Sequence, residues 1–458
     1  MRRLVFMIAA LAVVVAVVAA TRLSRDERTT MAPAGPAGDP ASGVIIIGVD
    51  GLDWDRFERL SSEGALPNLS ALAENGTSGV LRSIPPYVSP TIWTSIATGR
   101  TGEDHGVDGF TIYGVRGSED AKLAGSSMIK CKTLWEVAAE AGKTSGLVGW
   151  LVTYPPLPVP GYTVSSKAVI ALSHPRTRDS TDDVEELRSM VHPPDLWDAI
   201  SGLGVMPSEI RDREVRRHLG ETGNLEGGGV PDRRNIIAER LAADITTIGL
   251  AEKLMAERPT DLTAVYLRGC DIVSHLFWRY WEPDSWTRGK ISAEAIDTYS
   301  PVIDRYYATV DSMVGRILEH RREEDVVLVC SDHGFAGHRG HAGYDPPIEG
   351  EMAIGVNMHR QEGVIIANGP GIASGERIAG ATVLDVTPTV LSILGLPVAR
   401  DMDGRPLVSF LEQPFLDEHP ISYVATYETG DRTTSDAPTE SPVDEQEKEL
   451  LRSLGYID

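Results

Sequence analysis

A chain of 458 residues is long enough for one large α/β domain with an insertion, or for two domains. Its 66 acidic and 43 basic side chains leave a formal charge of -23 and no Lys/Arg cluster in the folded part. That argues against a nucleic-acid partner but leaves a small phosphorylated substrate open, because bound cations invert the local field. Cys131, Cys270 and Cys330 make no disulfide framework, and the last two close apolar runs as small buried hydrophobes.

Met1–Ala20 opens with Arg2-Arg3 and continues uncharged and apolar to Val18-Ala19-Ala20, small residues that suit a signal peptidase. Residues 1–21 are therefore expected to be a signal peptide or an N-terminal membrane anchor. With the arginines held inside, either outcome exports the rest of the chain, to the periplasm, the exterior or the membrane face. Residues 22–42, rich in Pro, Ala, Gly and Thr, read as a flexible linker.

The folded part begins with Gly43 to Val49, a short β-branched run followed by Asp50-Gly51. Val326-Val327-Leu328-Val329-Cys330-Ser331 repeats that design and ends in Asp332-His333-Gly334-Phe335. Runs like these fit strands buried on both faces of a parallel sheet, whose carboxyl ends form the crevice where ligands bind. Two such ends would hold their carboxylates about one strand spacing apart, and like charges that close call for a cation. Asp-His-Gly alone is a weak signal; the rest of the chain strengthens it.

Pro67 to Leu72 reads as a helix stopped by Asn75-Gly76. In Ser89-Pro90-Thr91-Ile92-Trp93, Pro90 suits a first helical turn and Ser89 its N-cap. The bland reading ends at the cap. In the functional reading, a hydroxyl at a helix start beside a metal attacks phosphorus. Thr133–Ala141 reads as an amphipathic helix and Thr144–Trp150 as a strand. The Pro-, Asp-, Arg- and Gly-rich stretch at about 153–242, with Gly227-Gly228-Gly229, reads as an inserted cap.

A helix over Arg234–Glu257 leads into a third buried strand, Leu262–Leu267, and then into Asp271 and His275. Four residues apart, these two share one helix face and can grip one ion. Beyond Phe335, His359 stands before another strand as a further ligand candidate, in competition with His338 and His341. Asp385–Pro397 reads as a structural helix. Residues 413–458 read as an acidic tail, from Asp431 to Glu449, closed by a short helix around Leu450–Tyr456 that packs back.

Taken together, Asp50-Gly51, Ser89-Pro90 to Thr98-Gly99, Tyr266 to Trp278, Ser331 to Phe335, His359-Arg360 to Gly363, Gly369-Pro370-Gly371-Ile372 and Asp385 to Leu396 resemble the alkaline phosphatase superfamily. Within it they resemble the bacterial type I phosphodiesterase/nucleotide pyrophosphatase branch. The resemblance implies an α/β three-layer sandwich over residues 43–412, with a mostly parallel central sheet, helices on both faces and the cap inserted. It also implies two divalent ions, zinc ahead of manganese. Asp50, Asp332 and His333 with the nucleophile oxygen would hold one; Asp271, His275 and His359 would hold the other. The superfamily's hydroxyl sits ten positions before the Gly of a Thr-Gly pair, which selects Ser89 over Thr91 as nucleophile. Many eukaryotic relatives carry an Asn nearby to hold the phosphate, where this chain has Ile92 and Trp93.

The implied activity is hydrolysis of a phosphodiester or pyrophosphate bond of an extracytoplasmic substrate, such as a nucleotide, lipid head group or phosphosugar, through a phosphoserine. A phosphomonoesterase or phospho-group transferase would use the same ligands. A non-catalytic binding protein would have lost one of them, and none is missing. A sulfatase needs Cys or Ser followed by Pro at the third place and Arg at the fifth, and Thr91 and Trp93 stand there.

Overall fold

The computed structural model describes residues 43–112, 122–174, 184–220, 233–285, 291–336, 358–429, 439–454 and 456. The expected leader and linker, Gly227 to Gly229, His338, His341 and residues 431–438 of the acidic stretch lie outside them. No helix among the described residues is long and apolar enough to cross a membrane.

The β-branched runs form the middle of a nine-stranded sheet: β1 (Gly43–Val49), β2 (Thr77–Arg82), β3 (Ser145–Val148), β4 (Gly161–Val164), β5 (Val191–His192), β6 (Leu262–Leu267), β7 (Asp325–Cys330), β8 (Glu362–Asn368) and β9 (Glu376–Thr382). Their order is β9-β2-β8-β7-β1-β6-β3-β4-β5. β1 pairs in parallel with β6 and β7, the three strands read from their apolar runs. β3 and β4 continue in parallel beyond β6, and β2 pairs in parallel with β9. β8 runs against both β7 and β2, and β5 against β4.

Among the helices of the described residues that frame the sheet and its rim are α1 (Trp54–Ser62), α2 (Pro67–Glu74), α3 (Ser89–Thr98), α4 (Arg233–Glu257), α5 (Gly269–Trp281), α6 (Val302–Leu318), α7 (Val386–Ile393) and α8 (Asp444–Leu454). The two-residue period of β1 feeds two cores. Ile45, Ile47 and Val49 face one way, against Phe57, Leu69, Ile248, Phe277 and Val310 of α1, α2, α4, α5 and α6. Val44 and Ile46 face the other way, against Ile92, Ile96 and Val390 of α3 and α7. Each such buried side chain contributes about 1.5–3 kcal/mol. The result is an alkaline-phosphatase-like sandwich of helices, sheet and helices.

Residues 39–458 form one compact unit. Among its described residues, the stretch expected as a cap supplies β4 and β5 to the sheet edge and the start of α4 to one helical layer. Its strands are short and half polar, GYTV and VH, and carry no run that marks them in the sequence. The acidic stretch also departs from a purely solvated tail: Glu447 of α8 is buried.

Candidate active site

The three central strands end at one rim, and each delivers an acid there. Asp50 follows β1 directly, its N–H donating to Leu267 O of β6 at 3.0 Å. Asp332 lies two residues beyond β7 and accepts from Gly51 N at 3.2 Å. Asp271 lies in the first turn of α5, which starts just past β6. The four-residue spacing on α5 brings His275 Nε2 to 3.2 Å from Asp271 Oδ1. A two-residue antiparallel ladder, Gly334–Phe335 against His359–Arg360, carries His359 to the same rim, where its Nε2 lies 3.3 Å from Asp271 Oδ1. His333 Nε2 lies 3.3 Å from Asp332 Oδ2, 3.5 Å from Asp50 Oδ1 and 3.9 Å from Asp271 Oδ1.

Ser89 Oγ donates to Asp50 Oδ1 at 3.4 Å. Val88, in an extended conformation, is the N-cap of α3 and Ser89 is its first residue, a shift of one from the expected cap. The hydroxyl is therefore not spent on a helix amide and points at the acids. Thr91, two residues farther along, keeps its buried hydroxyl without a hydrogen-bond partner among the described residues.

The polarity of the cage fits divalent cations. His333 Nδ1 and His359 Nδ1 contact the carbonyls of Gly334 and Tyr87, at 3.1 and 2.7 Å. A carbonyl only accepts, so each Nδ1 carries the proton and each Nε2 turns a lone pair toward the carboxylates. Buried His333 Nε2 and Asp332 Oδ2 accordingly have no hydrogen bond. Lone pairs facing lone pairs in a dry site need a positive charge between them. Ligand atoms of Asp271, His275 and His359 lie within 4.8 Å of one another, and so do those of Asp50, Asp271 and His333. Asp271 thus belongs to both groups, where the resemblance assigned it to one.

Left to themselves the acids cannot all ionise. Burial, with Asp271 beside it, pushes Asp50 up to about 7. Burial and the carboxylates of Asp50 and Asp271 push Asp332 well above the usual carboxylate range. Burial works the same way on Asp271, but His275 and His359 overcome it and hold that group well below the range. His333 is kept neutral by burial and by His359.

Residues 44–373 match the family model described as type I phosphodiesterase / nucleotide pyrophosphatase. The chain belongs to this family. Among curated proteins, human arylsulfatase K is 21% identical over 191 residues, 40% of this chain and 31% of that protein. The dog arylsulfatase K is 24% identical over 141 residues, 29% of this chain and 24% of that protein. The chain thus spans under a third of the length of the curated relatives it matches. Among solved structures, human ectonucleotide pyrophosphatase/phosphodiesterase 5 superposes with a TM-score of 0.45 at 11% identity, covering 81% of this chain and 100% of that one. The phosphonate monoester hydrolase of Silicibacter pomeroyi gives 0.44 at 16%, covering 81% and 76%.

Several residues around this phosphodiesterase-family site are given no role by the sequence reading, although Tyr266 and Ser331 lie inside the stretches that carry the resemblance. Tyr266, near the end of β6, donates its hydroxyl to Asp50 Oδ2. Ser331 Oγ accepts from Leu52 N at 2.9 Å and donates to His333 O at 2.8 Å, tying the β1 and β7 termini together. Tyr456 Oη lies 2.7 Å from His275 Nε2 and 2.9 Å from His359 Nε2. Only the terminal Leu-Leu-Arg-Ser-Leu-Gly-Tyr run, apolar enough to pack back, hinted at the last.

Proposed function

We propose that the protein is a two-metal phosphodiesterase or pyrophosphatase that works on an exported small phosphorylated substrate through a phosphoserine at Ser89. The observation that carries this reading is the 3.4 Å approach of Ser89 Oγ to Asp50 Oδ1, at a rim where three acids and three imidazoles converge. Asp50, Asp332 and His333 with the Ser89 oxygen would hold one divalent cation, and Asp271, His275 and His359 the other, with Asp271 near enough to serve both. When bound, such cations supply charge neutralisation and Lewis acidity to the phosphoryl group. Neutral histidines and three carboxylates against two divalent charges leave about one positive charge, complementary to a phosphodiester monoanion.

Ser89 would form the bond to phosphorus as the bond to the leaving oxygen breaks in line, the hydroxyl proton directed at Asp50 ending on the alcohol that departs as the first product. Water then attacks the phosphoserine and restores the hydroxyl, with phosphate monoester as the second product. Asp50, held by Tyr266, keeps Ser89 Oγ aimed. A cavity of about 590 Å³ lined by Tyr266, Arg268, Ile272, Leu276, Val169 and Leu450 lies along α5, the helix that carries Asp271 and His275, and none of the six acids and imidazoles lines it. That volume suits a nucleoside, a lipid head group or a sugar. The exported address rests on the apolar Met1–Ala20 run.

The test is a panel of bis-p-nitrophenyl phosphate, p-nitrophenyl phosphate and p-nitrophenyl sulfate, run with the parent protein and with S89A. Diester turnover ahead of both monoesters, lost in S89A, is the expected result. Turnover that survives S89A removes the phosphoserine route, and preference for a monoester replaces the diester assignment.

A further inference from the structure

The C-terminal tail reaches into the site, and the proposed function does not use it. α8 is fastened to the domain by buried charges: Lys167 Nζ lies 2.9 Å from Asp444 Oδ1 and also contacts Glu447 Oε2, while Arg268 Nη1 lies 3.2 Å from Glu447 Oε1. At and beyond the end of the helix, Leu451, Leu454 and Tyr456 join Val88, Phe110 and Ile272 in a small core of their own. Tyr456 is 2% exposed, its ring centroid is 4.8 Å from that of Phe110, and its N–H closes the turn on Leu451 O at 2.9 Å. Its hydroxyl ends between His275 Nε2 and His359 Nε2. This is a fixed wall of the site.

His359 Nε2 is a lone pair, because its Nδ1–H is used on Tyr87 O. A cation held by the two imidazole Nε2 atoms takes up the lone pairs on which the phenol now leans. The phenol still carries one proton and needs an acceptor for it. In the two-metal reading, a phosphoryl or leaving-group oxygen of the substrate would share this side of the cage with His275 and His359 and could accept it. At the start of α3, Pro90 and Ile92 have no side-chain N–H or O–H, Trp93 packs edge-on against Trp150 and Tyr266 with centroids 5.0 Å away, and the buried Thr91 hydroxyl and Trp93 indole N–H make no hydrogen bond among the described residues.

Resting on the two-metal reading of the site, we infer that Tyr456 donates a hydrogen bond to a substrate oxygen held beside His275 and His359, so that the C-terminal tail is a working part of the active site. A charge-assisted hydrogen bond strengthens as negative charge gathers on that oxygen, so the contact favours the trigonal-bipyramidal state over the bound ester. It needs no proton transfer.

The experiment uses the full chain loaded with Zn²⁺, as parent and as Y456F. Zn²⁺ affinity is read by competition with a chromogenic chelator, and orthovanadate binding and turnover of bis-p-nitrophenyl phosphate are read on the loaded protein. The expected result is Zn²⁺ affinity within about threefold of the parent, with vanadate affinity and kcat both lowered about tenfold to a hundredfold and KM changed less. Zn²⁺ affinity lowered more than tenfold would make Tyr456 a metal ligand and overturn the inference. Unchanged vanadate affinity would make it packing only and also overturn it. If Y456F folds poorly, 3-fluorotyrosine at position 456 keeps the shape with a stronger donor, and vanadate must then bind more tightly. An active parent whose variants are unaltered sinks this inference alone, whereas a parent that hydrolyses no phosphoester sinks the proposed function.

Discussion

His333 and His359 stack face to face, with ring centroids 3.5 Å apart and planes 18° from parallel. Each ring is pinned at Nδ1 by a carbonyl, so neither can turn its Nε2 away from the acids. Two imidazolium ions at that spacing would repel, and burial already disfavours charge on His333. The stack therefore presents two imidazole Nε2 atoms, one to each group of acids.

Metal binding should depend on pH with a definite sign. Asp50, raised to about 7, holds a proton in the folded protein that a cation must displace, and Asp332 is raised as well, by burial first and then by Asp50 and Asp271. Below pH 7 the apparent affinity for Zn²⁺ or Mn²⁺ should therefore rise with pH, by about tenfold per unit for each proton displaced, with protons released to match. His275 and His333, both lowered by burial, add protons only at the acid end and work in the same direction. Chelator competition between pH 5.5 and 8.5 measures the slope; a flat profile would show that Asp50 is not a ligand.

Asp271 is the residue whose loss should be felt by both cations. Its Oδ1 lies 3.2 Å from His275, 3.3 Å from His359 and 3.9 Å from His333. D271N is expected to weaken both binding events by about tenfold or more, whereas H275A weakens one and leaves the other. Metal content after dialysis against a range of free Zn²⁺ separates them. One intact tight site in D271N would return Asp271 to a single ion.

The centre of this fold was readable because burial on both faces leaves β1, β6 and β7 as unbroken apolar runs rich in β-branched residues, with acids at or just past their ends. Asp271 and His275 were readable because helical spacing is local. The shared position of Asp271 was not, since it depends on how β6 and β7 flank β1 in space. Ser89 was placed in the right turn but one position early, because Pro90 fits the second helical residue as well as the first. β4 and β5 are too short and polar to stand out, and Tyr266 and Tyr456 meet their partners 216 and 181 residues away, a separation with no local signature.

Gly51 cannot be replaced cheaply. Its φ of +68° is left-handed, and a Cβ there would lie 2.9 Å from Phe335 Cε2 and 3.0 Å from Asp271 Cα. The backbone alone costs about 1–2 kcal/mol for any other residue. The clash adds to this by pushing α5, and with it Asp271, out of the cage, and by disturbing the Gly51 N–H that Asp332 accepts. G51A is expected to lower the melting temperature and to lower turnover by more than tenfold. Full turnover in G51A would mean that the β1–α1 turn does not set the position of Asp271.

Glu447 ties the tail to the site through two buried cations. Its side chain is 7% exposed, that of Lys167 6% and that of Arg268 18%. Burial would raise its carboxyl, but Lys167 and Arg268 outweigh this and hold it below the usual carboxylate range. A depressed acid stabilises the fold above its unfolded value and loses that contribution as pH falls through the folded one. E447Q removes the carboxylate facing Arg268 and leaves Lys167 with Asp444 alone, and is expected to cost about 1.5–3 kcal/mol. The melting temperature of E447Q should fall well below the parent's at pH 7, and the gap should close as both are taken toward pH 3. Carboxypeptidase should also remove Tyr456 faster from the variant. An equal melting temperature at pH 7 would show that α8 is held by its apolar side alone, through Leu451 and Leu454.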